Sequence, residues 1–304
     1  MSEPRYCGRF APSPTGPLHA GSLYTAFASW LLARHAGGQW IIRVEDVDRD
    51  RCVPGAAEHQ LATLAAFGMT SDRPVEWQSQ RSPLYQAALD RLLDHGQAFV
   101  CGCSRAQLAS TAGLHHHCVA PPRNDGRNAI RLRVAGSGLI RFEDTLMGHC
   151  AQDLATEVGD VVLHRADGCW AYQMAVVVDD ADQGVTDVVR GLDLLDSTPR
   201  QIWLQRCLGL PTPTYLHLPL LTDADGRKLS KSQAACPVDA DNALPLLQWL
   251  WQLLGQPPEA VAGCRTPTEL LQCGARHFQP KQLPHSLPPA PTMNTHLPSG
   301  SLPT

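Results

Sequence analysis

Arg9-Phe10-Ala11-Pro12-Ser13-Pro14-Thr15-Gly16-Pro17-Leu18-His19-Ala20-Gly21-Ser22 joins a short β-like run, residues 6–10, to a helical period over residues 23–34 with apolar side chains at 23, 27, 30 and 31. A second β-like run follows at 40–44, so the chain opens as a βαβ unit and predicts a parallel sheet. In such sheets ligands bind at the carboxyl ends of the strands, where helix N-termini offer free N–H groups to anions. The quoted segment has the makings of a phosphate-binding connection. Pro12, Pro14 and Pro17 stiffen it, Gly16 and Gly21 let backbone and ligand approach closely, and His19 brings a hydrogen-bonding ring to the helix entrance.

Working outward, residues 174–178 read as a second buried strand and residues 199–208 as a helix with proline in its first turn. Beyond them Gly226-Arg227-Lys228-Leu229-Ser230-Lys231-Ser232 forms a polar loop. Its two lysines beside a glycine make a cationic arm suited to charge that develops on a reacting phosphate. Residues 98–165 differ in character, with cysteines, histidines and arginines, and are expected as an insertion that splits the nucleotide-binding domain. The expected division is residues 1–97, the insertion 98–165, the second catalytic half 166–235, a helical cap 236–278 with helices at 243–254 and 268–278, and a disordered tail 279–304 that holds seven of the 25 prolines.

Composition narrows the function classes. A hydrophobic fraction of 43% and a charged fraction of 18% suit a soluble enzyme, and a net charge of −4 leaves any nucleic acid to a local patch. Arg123, Arg127, Arg131 and Arg133 are candidates for that patch. Eleven scattered cysteines without an apolar leader imply reduced thiols in a cytoplasm, and no run nears the roughly 18 apolar residues that cross a bilayer.

His19-Ala20-Gly21-Ser22 after strand one, together with the later Lys228-Leu229-Ser230-Lys231-Ser232, resembles the two signatures of class I aminoacyl-tRNA synthetases. The fuller string from Arg9 to Gly16, followed by Ile42-Arg43-Val44-Glu45-Asp46-Val47-Asp48, is similar to the glutamyl branch of that class. The resemblance spans roughly residues 5–232. It implies an α/β fold, a Rossmann-type catalytic domain with a zinc-bearing α+β insertion and a helical cap. It also implies an enzyme that activates L-glutamate with ATP, accompanied by Mg, and three residues in the nucleotide chemistry: His19, Lys228 and Lys231, with Gly21 also against ATP.

A glutamate carries an ammonium and two carboxylates, so its pocket needs an anion and cations. Glu45 at a strand end can take the ammonium, and Arg9 can fork onto a carboxylate and reject the neutral amide of glutamine. The resemblance adds Phe10, Ala11, Pro12, Ser13, Tyr172 and Arg190 as amino-acid contacts. Asp46, Asp179, Asp180 and Asp193 are expected to hold arginines and ribose hydroxyls, because an ionised carboxylate attacks phosphorus without a general base.

Cys101-Gly102-Cys103 and His115-His116-His117-Cys118 are compatible with one tetrahedral, structural zinc of the Cys₃His kind. Cys101, Cys103, His115 and Cys118 are the first choice of ligands, with His117 the second choice for the histidine.

Full glutamyl-tRNA synthetases continue into a large anticodon-binding domain, whereas little beyond a helical cap is expected here after the lysine signature. The chain thus resembles the short paralogues of those enzymes, which pass glutamate to queuosine at the wobble position of tRNA(Asp). Their likeness implies a monomer that meets glutamate, ATP and that tRNA, without a membrane. Tyr24, where the long relatives commonly carry arginine, fits that departure. Two alternatives stay open at the level of sequence: a shortened synthetase that charges a tRNA 3′ end, and an inactive zinc-stabilised tRNA-binding protein.

Overall fold

The computed structural model describes residues 6–104, 106–222 and 238–288. Its spine is a seven-stranded sheet. β1 (Cys7–Phe10) lies between β2 (Gln39–Val44) and β9 (Asp187–Gly191), parallel to both. β3 (Glu76–Trp77) flanks β2, and β10 (Thr214–Leu218) continues the sheet beyond β9. A hairpin of β6 (Leu139–Asp144) and β7 (Gly148–Asp153) completes the order β3-β2-β1-β9-β10-β6-β7. Every pairing is parallel except that of the hairpin.

Side chains alternate between the two faces of a strand, and the core follows that rule. Trp40 and Ile42 of β2 and Val189 of β9 join one apolar cluster, while Ile41 and Val188 join the other. The first cluster packs under α1 (Ala20–His35), α7 (Ala243–Leu253) and α8 (Pro267–His277) through Leu23, Phe27, Leu31, Trp251 and Leu270. The second packs under α3 (Ser82–Asp94), α5 (Tyr172–Asp182) and α6 (Thr198–Leu208) through Leu89, Met174, Val177 and Ile202. Helices on both faces explain why the central strands are buried along nearly their whole length.

α5 corrects the sequence reading, which placed a strand at residues 174–178. Val176, Val177 and Val178 are β-branched and suggest a strand, but every residue from Met174 to Asp180 is buried. A helix covered nearly all round loses the polar face that marks its period, so a short apolar run is ambiguous between the two structures.

The stretch between α3 and α5 divides its strands between two sheets. β4 (Ala98–Cys101), β5 (Ala129–Leu132) and β8 (Val161–His164) form a small antiparallel sheet, whereas the β6–β7 hairpin extends the main one. The short helix α4 (Leu154–Glu157) follows β7, its first N–H groups bonded by the Asp153 side chain.

Residues 279–288, the start of the expected tail, are among the described residues and pack on the cap. Gln279 exchanges hydrogen bonds with Gln256, and Leu283 is buried against the α7–α8 core. Tyr24, singled out above, is buried in α1 with 1% of its surface exposed. No helix among the described residues is long and apolar enough to cross a membrane.

Candidate active site

Backbone and side-chain hydrogen bonds fix the connection between β1 and α1. Pro12 and Pro14 point inward while Ser13 and Thr15 are exposed. Pro12 O accepts from Glu45 N at 2.9 Å, and Pro14 O accepts from Val53 N at 2.8 Å. Gln60, buried on α2 (Ala56–Ala66), donates both amide hydrogens back to the loop, to Ser13 O at 3.1 Å and Gly16 O at 2.6 Å. His19 caps α1, its Nδ1 accepting from Ser22 N at 3.2 Å. A Cβ on Gly21 would press the His19 ring at 3.1 Å, so glycine there lets the ring lie over the helix entrance. The lysine signature, with Lys228 and Lys231, lies outside the described residues.

At the carboxyl ends of β1, β2 and β9 is a buried charge cluster. Arg9 of β1 places Nε 3.3 Å from Asp180 Oδ1 and donates Nη1 to Val189 O, while its Nη2 has no hydrogen-bond partner among the described residues. Arg43 of β2, wholly buried, reaches Asp180 Oδ1 at 2.8 Å, Glu45 Oε1 at 3.3 Å and Gln183 Oε1 at 2.7 Å. Asp179 accepts from Arg81 Nε, Gln78 Nε2 and the Tyr85 hydroxyl. Helical spacing accounts for these sets. Asp179 and Asp182 are three apart and grip Arg81; Asp180 and Gln183 are three apart and grip Arg43. Burial raises the Asp180 carboxyl, yet Arg9 and Arg43 overcome it and hold the group below its ordinary value. Asp46 bonds Ser79 through its backbone N–H and hydroxyl.

Arg190 of β9 carries a second polar network. Its guanidinium donates to His217 Nε2 at 3.0 Å, Gln201 Oε1 at 2.8 Å and Thr198 Oγ1 at 2.7 Å, with the Tyr172 hydroxyl at 3.5 Å. Tyr172, at the start of α5, feels the charges of Arg190, Glu45 and Arg9 together. The structure therefore gathers Arg9, Glu45, Tyr172 and Arg190, which are scattered over 180 residues of sequence, around one polar centre.

The cysteine and histidine cluster forms at the end of β4. The ligand atoms of Cys101, Cys103, His115 and Cys118 lie within 4.8 Å of one another. His115 is buried and His117 exposed, which decides between them in favour of His115. Cys101 Sγ is 3.3 Å from His115 Nε2, close to the about 3.5 Å that a tetrahedral zinc imposes on its sulfur and nitrogen ligands. His115 Nδ1 is held by Asp160 Oδ2 at 2.9 Å, and this leaves Nε2 for a metal. Two glycines permit the geometry. A Cβ on Gly102 would meet Pro121 O at 2.1 Å, and one on Gly159, whose φ is +73°, would meet His115 N at 2.6 Å. The four donors can hold a metal ion.

Comparison with known proteins agrees with this geometry. The chain matches the family described as "tRNA synthetases class I (E and Q), catalytic domain" over residues 7–127 and 113–246. The chain belongs to that family. Curated relatives include the glutamyl-Q tRNA(Asp) synthetase of Xanthomonas oryzae pv. oryzae, 61% identical over 93% of this chain and 94% of the relative, and that of Burkholderia cenocepacia, 54% identical over 81% and 87%. Among solved structures, the glutamate tRNA ligase of Elizabethkingia meningosepticum in complex with its amino acid superposes with a TM-score of 0.78 at 22% identity, covering 95% of this chain and 67% of its own. This last likeness bears on the fold alone.

In this class I frame, Glu45 makes a measurable prediction. Burial lifts its carboxyl to about 7, against the pull of Arg43 and Arg9. Only the carboxylate attracts an ammonium, so the KM for an amino-acid substrate is expected to rise about tenfold between pH 8 and pH 6. The linkage has the opposite sign for the free protein. A raised carboxyl favours the fold fully below 4.5, and that contribution is lost as pH rises through about 7. A KM flat across this range would rule out an ammonium contact by Glu45.

Several residues at the site escaped the sequence reading: Gln60, Asp144, Asp160, Thr198, Gln201 and His217. His217 carried a usable signal, since Tyr215, Leu216 and Leu218 on either side are all buried and a lone histidine in such a strand needs partners. The others carried none. Of the four arginines considered for RNA, Arg131 is half-buried and donates to Asp160 O, while Arg123, Arg127 and Arg133 are exposed, Arg133 lying over Phe99 at 4.3 Å.

Proposed function

We propose that this chain activates L-glutamate with ATP to glutamyl-adenylate and transfers the glutamyl group to queuosine at the wobble position of tRNA(Asp). The observation that carries the reading is the match to relatives of that name over 87–95% of their length, with Arg9, Glu45, Tyr172 and Arg190 drawn to one centre. Glu45 takes the ammonium. Arg9, its guanidinium oriented by Asp180 and Val189 O, offers Nη2, which has no hydrogen-bond partner among the described residues, to a carboxylate of the substrate, and Arg190 with Tyr172 completes the amino-acid pocket. A glutamate carboxylate oxygen then attacks the α-phosphorus of Mg-bound ATP and pyrophosphate leaves. Phe10, Ala11, Pro12 and Ser13 line the approach; His19, Gly21, Lys228 and Lys231 serve the phosphates. In the second half a queuosine hydroxyl attacks the acyl carbon, and AMP departs.

The Cys101, Cys103, His115 and Cys118 set suits one structural zinc. Four protein donors leave no position for substrate, so its chemistry is cross-linking of the small sheet. A monomer in the cytoplasm completes the reading.

The test is transfer of labelled glutamate to tRNA(Asp) prepared with and without queuosine. Label is expected only on the queuosine-bearing RNA. Equal labelling of both would replace this reading with charging of the 3′ end, and absence of glutamate-dependent pyrophosphate exchange would replace it with a non-catalytic RNA-binding role.

A further inference from the structure

We propose that Asp144 and His217 are positioning residues for Arg190, forming a buried relay through which the β6–β7 hairpin sets the orientation of the amino-acid pocket. The inference rests on the placement of Arg190 against glutamate in the reading above.

The sheet builds the relay. Arg190 and His217 are direct partners in the parallel β9–β10 ladder, so their side chains share a face. Asp144 ends β6, one strand further out, opposite Tyr215. Asp144 and His217 side chains are completely buried. His217 Nδ1 lies 2.6 Å from Asp144 Oδ2, and its Nε2 lies 3.0 Å from Arg190 Nε and 3.2 Å from Thr198 Oγ1. An arginine Nε can only donate, so Nε2 must be the acceptor and the proton of a neutral ring must sit on Nδ1, facing Asp144. The carboxylate thereby selects the one tautomer that can receive Arg190. Asp144 is itself locked, because Oδ1 accepts from the backbone N–H groups of Leu146 at 3.0 Å, Met147 at 2.9 Å and His217 at 3.3 Å.

That lock makes Asp144→Asn a one-atom test. The three N–H groups retain the amide oxygen, so the amide nitrogen faces His217 Nδ1. Two donors would then oppose each other unless the ring moves its proton to Nε2, and that proton would confront Arg190 Nε–H. The wrong tautomer pushes the guanidinium out of register without removing any side chain.

The experiment measures glutamate-dependent ATP–pyrophosphate exchange on the full chain, with ¹⁵N NMR of the His217 ring. For wild type the spectrum is expected to show the Nδ1–H tautomer. Asp144→Asn is expected to switch it to Nε2–H and to raise the KM for glutamate about tenfold or more, with the KM for ATP within about twofold and a near-native melting temperature. His217→Gln, which restores an acceptor near the Nε2 position, is expected to stay closer to wild type than His217→Leu, which offers none. The relay is overturned by an Nε2–H tautomer in wild type, by an unchanged glutamate KM in Asp144→Asn, or by equal rises in both KM values. If folded wild type shows no exchange with glutamate, the activity reading fails, and the tautomer switch alone then decides the relay.

Discussion

Asp180→Asn is expected to lower the unfolding free energy by about 3–5 kcal/mol and to remove most glutamate-dependent pyrophosphate exchange. Asp180 Oδ1 serves two arginines at once, Arg9 Nε at 3.3 Å and Arg43 Nη2 at 2.8 Å, with the arginine side chains 4% and 0% exposed. Replacing the carboxylate by its amide keeps the volume and deletes the charge, so two buried guanidinium groups lose a shared counter-ion. Removing one partner of a buried pair is costly because the charge left behind is poorly solvated. The same change has a signature that simple destabilisation lacks. The Asp180 charge raises the Glu45 carboxyl, so in the variant the pH at which glutamate binding weakens should move below about 7. Urea unfolding together with the pH dependence of the glutamate KM checks both parts. Native stability in the variant would show that Arg43 is compensated by Glu45 and Asp179 alone.

This cluster marks where sequence reading succeeded and where it stopped. β1, α1 and β2 were legible because each carries its own period, and the loop between them because Pro, Gly and His at those spacings have local consequences. α6, α7 and α8 were legible for the same reason, α6 with a proline in its first turn and α8 with Thr266 capping through Glu269 N. α5 was not. Its burial erased the polar face, and with it the i, i+3 logic by which Asp179 and Asp182 hold Arg81 and Asp180 and Gln183 hold Arg43. Arg9 and Glu45 were singled out from the charges a glutamate presents, and Tyr172 and Arg190 because a family pattern pointed at them. Gln60, Asp144, Asp160 and His217 act across the fold through hydrogen bonds to partners 19 to 73 residues away. No local spacing encodes such pairings. The split of residues 98–165 between two sheets was hidden likewise, because strand pairing partners are set by the folded sheet and not by sequence proximity.

Cys101→Ser with Cys103→Ser is expected to lose one zinc per chain and to open the segment between β4 and β5 to proteolysis. The apolar support there is thin: Cys101, Cys103 and Leu108 are the buried members of its cluster, with Phe99 and Ala120 partly buried beside them. Ordering each residue costs about 1–2 kcal/mol, whereas zinc-finger-type sites supply an apparent binding free energy of about 10–16 kcal/mol at neutral pH. With zinc bound as proposed, the thiolates would be the principal constraint on this segment, and serine cannot replace them as zinc ligands. Asp160 provides a graded test. Its Oδ1 accepts from Val134 N at 3.0 Å, and its Oδ2 holds His115 Nδ1 at 2.9 Å. In Asp160→Asn the Val134 N–H keeps the amide oxygen, so the amide nitrogen opposes Nδ1 and drives the ring proton toward Nε2, the atom that must ligate. Zinc affinity is expected to fall about 10–100-fold, with the thiolates still able to hold metal at saturating concentration. Metal analysis after dialysis and chelator competition measure the two variants in order of severity. Full zinc retention in the double serine variant would dissolve the assigned site, while retention in Asp160→Asn at native affinity would show that His115 needs no partner to hold its tautomer.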